Sequence, residues 1–184
     1  MMHGSTLISK IYRWRIRAAL VGVFACLILA RPTLSSLLLG IGISVLGLLL
    51  RAWASCHIRK DTALAVCGPY RFTRNPLYFG NFLLGVSIAV GSHSLWAAAV
   101  FAGYFLLFYP VAIHVEKKKM ERLFPEEYRI YTKSVPIFFP RLFPAPRRGD
   151  SPFSTRRYSA NKEQRALVGT FIFWAVLAAK YLLL

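Results

Sequence analysis

Acidic residues are few in this chain: 7 Asp and Glu against 24 Lys and Arg in 184 residues, a formal charge of +17 at pH 7. Cysteine is scarcer still, with 3 residues. Cys26, Cys56 and Cys67 show neither paired spacing nor a zinc pattern, which excludes a disulfide scaffold and a zinc module. There are no internal repeats, so a solenoid is excluded as well. An excess of positive charge raises nucleic acid as a partner, and its placement decides the matter. The chain is 56% hydrophobic with a mean hydropathy of +0.47, too apolar for an ordinary soluble domain.

Crossing a bilayer takes about 20 apolar residues in a helix. Residues 18–30 provide one core, extended upstream by Ile11, Tyr12, Trp14 and Ile16, and residues 34–54 provide a second. Residues 77–115 suffice for two spans with a break at Gly91-Ser92-His93-Ser94, and residues 166–184 form the last. The expected fold is all-α, a polytopic membrane protein of about five transmembrane helices, the third being the shortest. On that topology 22 of the 24 Lys and Arg fall on one side; Arg31 lies in the opposite turn and Lys180 can snorkel outward. The positive-inside rule makes the rich side cytoplasmic, the N-terminus included (an inner-membrane protein in a bacterium). Basic loops beside a bilayer suit anionic head groups, so membrane and not nucleic acid is the expected partner. Two of the three cysteines then face a reducing compartment, where structural disulfides are not expected. No small-x-small cleavage site follows the first apolar core and Val-Phe-Ala-Cys is a poor lipobox, so the first helix is expected to stay.

The chain reads as a single membrane domain, 1–184. Residues 1–55 form a helical hairpin turned at Arg31-Pro32-Thr33, 56–140 a cofactor-binding core containing the 77–115 hairpin, 141–165 a mobile basic linker, and 166–184 a C-terminal transmembrane helix. Residues 116–131 read as an interfacial amphipathic helix interrupted at Pro125, followed by an extended Val-Pro-Ile-Phe-Phe-Pro run.

Chemistry concentrates in GPYRFTRNPLYFGN, residues 68–81. Asn75 is a favoured N-cap and Pro76 a favoured first helical residue, so the third helix should begin here with its partly positive end at the cytoplasmic surface. A helix N-terminus beside Arg74 suits a carboxylate or phosphate, and Tyr70, Phe72 and Tyr78 can offer ring faces to a cation. S-adenosylmethionine, with its carboxylate, adenine and sulfonium, matches that inventory. The same residues also suit a plain helix start with an interfacial aromatic belt. Glu116, at the expected end of the fourth span, lies on the same side as Arg74 and could pair with it or receive a ligand's amino group; a salt bridge within Glu116-Lys117-Lys118-Lys119 is the plainer alternative.

Taken in order, LGLLLRAWASCHIRKD, GPYRFTRNPLYFG and EKKKMERLFPEEYRIYTKSVPIFFP resemble a family of integral-membrane methyltransferases that includes isoprenylcysteine carboxyl methyltransferase and phospholipid N-methyltransferases. The family's Arg-His-Pro-x-Tyr reads Arg74-Asn75-Pro76-Leu77-Tyr78 here. Its Glu-Glu reads Glu116-Lys117, its Phe-Gly-x-x-Tyr-x-x-Tyr reads Phe124-Pro125 with Tyr128 and Tyr131, and its two proline dipeptides read Val135-Pro136 and Phe139-Pro140. Asn75 departs from the carboxyl-methylating branch and matches the phospholipid branch; Lys117 departs from both. Gly40, Gly42 or Gly47 could stand for the phospholipid branch's Gly-x-Gly, or be packing contacts.

The resemblance implies methyl transfer from S-adenosylmethionine to a lipophilic acceptor, either the carboxylate of an isoprenylcysteine-like group or a phospholipid-like amine. It implies a cofactor pocket on the cytoplasmic side, built from Tyr70, Arg74, Asn75, Pro76, Tyr78, Glu116, Tyr128 and Tyr131. Arg74 would hold the cofactor carboxylate and Glu116 its amino group. An acceptor carboxylate needs only a cation, with Arg51, Arg59 and Arg129 as candidates; an amine needs a base, with His57 the candidate unless its role is packing. No residue set suggests a metal. Two other readings stand beside this one: a non-catalytic membrane protein binding anionic lipid, and a small transporter, which the lack of charge at span centres weakens.

Overall fold

The computed structural model describes residues 3–59, 62–146 and 153–183. Among them regular structure is helical, apart from one isolated bridge between Arg59 and Ala63. The elements are α1 (His3–Leu29), α2 (Leu34–Ser55), a 3-10 turn (Gly68–Arg71), α3 (Pro76–Ser92), α4 (Leu95–Leu123), α5 (Pro125–Thr132), α6 (Arg156–Ala160) and α7 (Gln164–Leu183). By length and composition α2, α4 and α7 can cross a membrane, and α3, with 17 residues, is a shorter apolar helix. α1 is long enough but carries Lys10, Arg13, Arg15 and Arg17 between its start and its middle turn. The protein is thus an all-helical, polytopic membrane protein, and the exposed leucines and isoleucines of α2, α4 and α7 suit a lipid-facing surface.

The turns form as their residues dictate. Thr33 and Ser36 make a reciprocal capping box at the start of α2, with N–H to hydroxyl distances of 3.2 and 2.9 Å. His93 closes α3 in the left-handed region (φ 45°), and Ser94 caps α4 by accepting from the Ala97 N–H. Arg31 N–H donates to the Ser92 carbonyl at 2.8 Å, joining the two turns at one end of the bundle.

Packing partners differ from chain order. The chain reverses at residues 31–33 as expected, yet α2 packs mainly on α3 and α1 mainly on α4. The α2–α3 approach is close because Gly47 and Gly80 face each other: a Cβ on Gly47 would lie 3.0 Å from the Gly80 carbonyl. Gly40 meets Trp174 and Gly42 meets nothing, so these glycines serve packing or face lipid. Helix α7 docks Phe173, Trp174 and Leu177 against Ala30 and Leu37, where α1 gives way to α2.

Three local expectations change. Helix α4 does not stop at Glu116 but runs unbroken to Leu123, since residues 116–123 contain neither Gly nor Pro; it breaks at Phe124, the residue before Pro125. Lys180 does not snorkel outward: its ammonium donates to the Leu27 and Ile28 carbonyls at 2.8 and 2.9 Å, satisfying the open C-terminal end of α1. The stretch expected as a mobile linker is tied down on both sides of residues 147–152, which lie outside the described residues. Ala145 N–H bonds the Arg71 carbonyl, Ser154 N–H bonds the Cys56 carbonyl, and α6 forms within it.

Candidate functional site

The 68–75 segment is held by a strap. Arg74 N–H donates to the Pro136 carbonyl (2.9 Å), Thr73 Oγ1 to the Phe138 carbonyl (2.7 Å), and Arg141 N–H to the Phe72 carbonyl (3.0 Å). Tyr131 hydroxyl donates to the Tyr70 carbonyl at 2.6 Å, and Arg71 Nε to the Ala145 carbonyl at 2.7 Å. Residues 135–140, with two prolines that favour extended backbone, thus lie beside the motif segment and satisfy it group by group. Asn75 occupies the N-cap position of α3, but its side chain makes no cap bond. Its Nδ2 donates to the Ile137 carbonyl at 2.8 Å, while its N–H donates to Thr73 Oγ1. The expected cap is a strap contact instead, made by the Nδ2 donation to Ile137.

Above this platform opens a cavity of about 840 Å³, lined from α1 between Tyr12 and Cys26, Arg51 near the end of α2, residues 58–59, 63–65, 70 and 74–75, α3 as far as Ile88, α4 and α5. Tyr70, Arg74, Asn75, Pro76, Tyr78, Glu116, Tyr128 and Tyr131 all line it. His57 does not. Its Nδ1 lies 2.9 Å from the Trp53 carbonyl and its ring sits edge-on between Trp53 and Phe153. Its ring also fills the space a Cβ on Gly68 (φ 58°) would need, so His57 is a buried packing residue. Arg129 does not line this cavity either; it is exposed, pairs with Glu126 at 2.9 Å and lines a smaller depression of about 460 Å³ that shares Arg74 and Tyr128. Arg51 and Arg59 do line the main cavity.

Arg74 is the least satisfied of these groups. One amino group reaches the Tyr128 hydroxyl at 3.5 Å, the guanidinium lies 6.0 Å from the Tyr128 ring centre, and the buried Nε–H has no partner. Glu116 forms no ion pair with it; the carboxylate lines the cavity from α4, while neighbouring Lys117 pairs with Glu121 at 3.6 Å. Burial, reinforced by Tyr131 and then Glu116, holds the Tyr70 phenol well above its ordinary range. Burial likewise raises Tyr131, and raises Tyr128 against the pull of Arg74. The aromatic wall is therefore neutral at physiological pH: it presents ring faces and hydroxyls, not phenolates.

Three lining or supporting residues escape sequence reasoning. Arg15 of α1 donates to the Tyr78 hydroxyl at 3.4 Å and stacks on Tyr12, 3.9 Å from its ring centre. Asn81 accepts from one amino group of Arg51, and Glu163, just before α7, takes the other at 2.7 Å. Asn81 carried a signal, an amide inside an apolar helix; Glu163, in a basic linker 112 residues from Arg51, did not. Among the described residues no three His, Cys, Asp or Glu side chains come together as a metal-binding group.

The chain belongs to the phospholipid methyltransferase family, whose model matches residues 35–127. It is 38% identical over 107 residues to the nickel-cobalt-cadmium resistance protein NccN of Alcaligenes xylosoxydans xylosoxydans. It is 36% identical over the same length to the cobalt-zinc-cadmium resistance protein CzcN of Cupriavidus metallidurans. Each match covers 57% of this chain and 48% of the relative, so the chain spans about half the length of the curated relatives it matches. No solved structure matches.

Proposed function

We propose that this member of the phospholipid methyltransferase family moves a methyl group from S-adenosylmethionine to a lipophilic acceptor, at a site opening on the cytoplasmic side. The observation that carries the reading is the convergence of Arg74, Tyr78, Glu116, Tyr128 and Tyr131 on one cavity in which a buried Arg74 N–H lacks a partner. Its volume, about 840 Å³, falls within the roughly 300–1,000 Å³ of small-molecule sites.

Arg74 would hold the cofactor's carboxylate, completing its own hydrogen bonding, with the N-terminus of α3 adding partial positive charge. Glu116 would accept from the amino group. The neutral ring faces of Tyr70, Tyr78 and Tyr128 would stand near the sulfonium. When bound, S-adenosylmethionine supplies an activated methyl group: a carbon–sulfur bond breaks as the acceptor's heteroatom bonds the carbon, and the electron pair stays on sulfur as a neutral thioether. The protein contributes alignment and exclusion of water, so the strap that fixes Arg74 is part of the machinery. The acceptor is a carboxylate or an amine on an apolar body. The relatives are named as nickel, cobalt, zinc and cadmium resistance proteins, which is compatible with an acceptor that is a membrane component.

Isothermal titration of the purified protein in lipid nanodiscs with S-adenosylmethionine tests the reading. Saturable binding is expected, weakened about tenfold or more by Arg74→Lys, the scale of a lost charge-assisted contact. Absence of binding to the wild-type protein in lipid would overturn it. An Arg74→Lys protein that binds as the wild type does would remove Arg74 from the cofactor contact, while anionic-lipid binding without cofactor binding would favour the alternative, a non-catalytic lipid-binding protein.

A further inference from the structure

Arg51 differs from the more exposed cations of the cavity, and unlike Arg74 it is held by an ion pair. Arg59 is exposed and the Lys117 side chain is 43% exposed, whereas the Arg51 side chain is only 13% exposed. It is locked by Asn81 on one amino group and by the buried Glu163 on the other, with its Nε–H unpartnered. Two residues at two sequence-distant positions are spent on aiming a single guanidinium. The lining as a whole holds six basic side chains and one acidic one, so the cavity stays positive even with Arg51 paired to Glu163.

Depth supplies the second observation. Arg51 bonds Asn81, which lies five residues along α3 from Pro76, roughly 7 Å deeper into the bundle than the Arg74 end. Beyond it the lining turns apolar, with Leu84 and Ile88 from α3 and Val100 and Phe101 from α4. Arg51 therefore marks the junction between the polar and the apolar limbs. An amphiphile whose chain fills the apolar limb places its head group there.

We infer that Arg51 binds an anionic head group of the acceptor, a carboxylate or a phosphate, and that Glu163 is a positioning residue that fixes Arg51 for that purpose. The inference rests on the methyl-transfer reading and adds to it the charge class of the acceptor. It also gives a purpose to the C-terminal helix, which lies outside the family-matched span 35–127: it carries Glu163 to Arg51. Arg74 then serves the cofactor's anion and Arg51 the acceptor's.

Native mass spectrometry in an uncharged detergent tests this, with hexadecanoate, monohexadecyl phosphate, hexadecylamine and hexadecanol as probes. The wild-type protein is expected to retain one or both anionic chains at least about tenfold better than the amine or the alcohol. Preference between carboxylate and phosphate identifies which head the site takes, and either supports the assignment. Because Arg51→Gln alone strands a buried carboxylate, the decisive variant is the double Arg51→Gln/Glu163→Gln, which removes both charges and keeps the packing. It should lose the preference for anionic chains while its affinity for S-adenosylmethionine stays within about twofold. Glu163→Asp should recover part of what Glu163→Gln loses. Retention of the anionic preference by the double variant, or equal binding of alcohol and anion by the wild type, overturns the inference. A wild-type protein that shows Arg51-dependent anion binding but no affinity for S-adenosylmethionine sinks the methyl-transfer reading and leaves the assignment of Arg51 standing.

Discussion

At one end of the bundle, backbone groups close on one another: the Arg31 N–H meets the Ser92 carbonyl, and the Lys180 ammonium caps the last carbonyls of α1. At the other end, the strap closes the backbone of residues 70–75 just as completely, yet two guanidinium groups, Arg51 and Arg74, keep buried N–H atoms without partners. The turn end also has unmet atoms, but they are the Ser92 hydroxyl and the Trp174 indole, which are neutral. The difference is one of cost. Leaving a charged donor unsatisfied in a buried place costs more than leaving a neutral one, so a fold keeps it where a ligand will complete it. On the proposed reading, a bound anion would complete the charged donors of the cavity end, whereas the unmet atoms of the turn end are neutral.

Substitutions at the two ends should therefore behave differently. The largest effect is expected from Thr73→Val, which leaves the Phe138 carbonyl and the Asn75 N–H without their partner. Stability should fall by about 2 kcal/mol, read as the midpoint of unfolding in mixed micelles, and affinity for S-adenosylmethionine should fall with it because the strap no longer fixes Arg74. A Thr73→Val protein with unchanged affinity would separate strap from site.

Alkali should act on the cavity end next. Burial raises Tyr70 and Tyr131, so the folded chain holds protons that the unfolded chain releases above about pH 10. Stability is unaffected by these groups below that pH and is lost as pH rises from there toward the folded-state values. The thermal midpoint should stay level to about pH 9.5 and then decline, with a shallower decline in Tyr131→Phe than in the wild type; equal slopes would show that these phenols carry no such linkage. The smallest effect belongs to the turn end. Lys180→Met removes the cap on α1 and should cost about 1 kcal/mol, with no change in affinity for S-adenosylmethionine; a change would mean that the ends communicate.

Much of the fold was legible because it depends on one-dimensional quantities. Span length, the turns at residues 31–33 and 91–94, and the helix start at Pro76 follow from apolar run length, capping residues and proline. Arg74, Tyr78, Glu116, Tyr128 and Tyr131, which the motif resemblance groups together, line one cavity. What the sequence could not fix was who faces whom. His57 reads as a candidate base by type and position, yet the turn at Gly68 takes its ring as packing. Glu116 and Arg74 share the cavity without pairing, because α4 continues past Glu116 and carries it on a helix separate from the strap. Glu163 looks like one charge in a basic linker, and only the docking of α7 beside α2 brings it to Arg51. Periodicity and capping act within a few residues and can be read along the chain. Buried ion pairs and crosswise helix contacts depend on the whole packed bundle, where the space between distant segments decides which charge meets which.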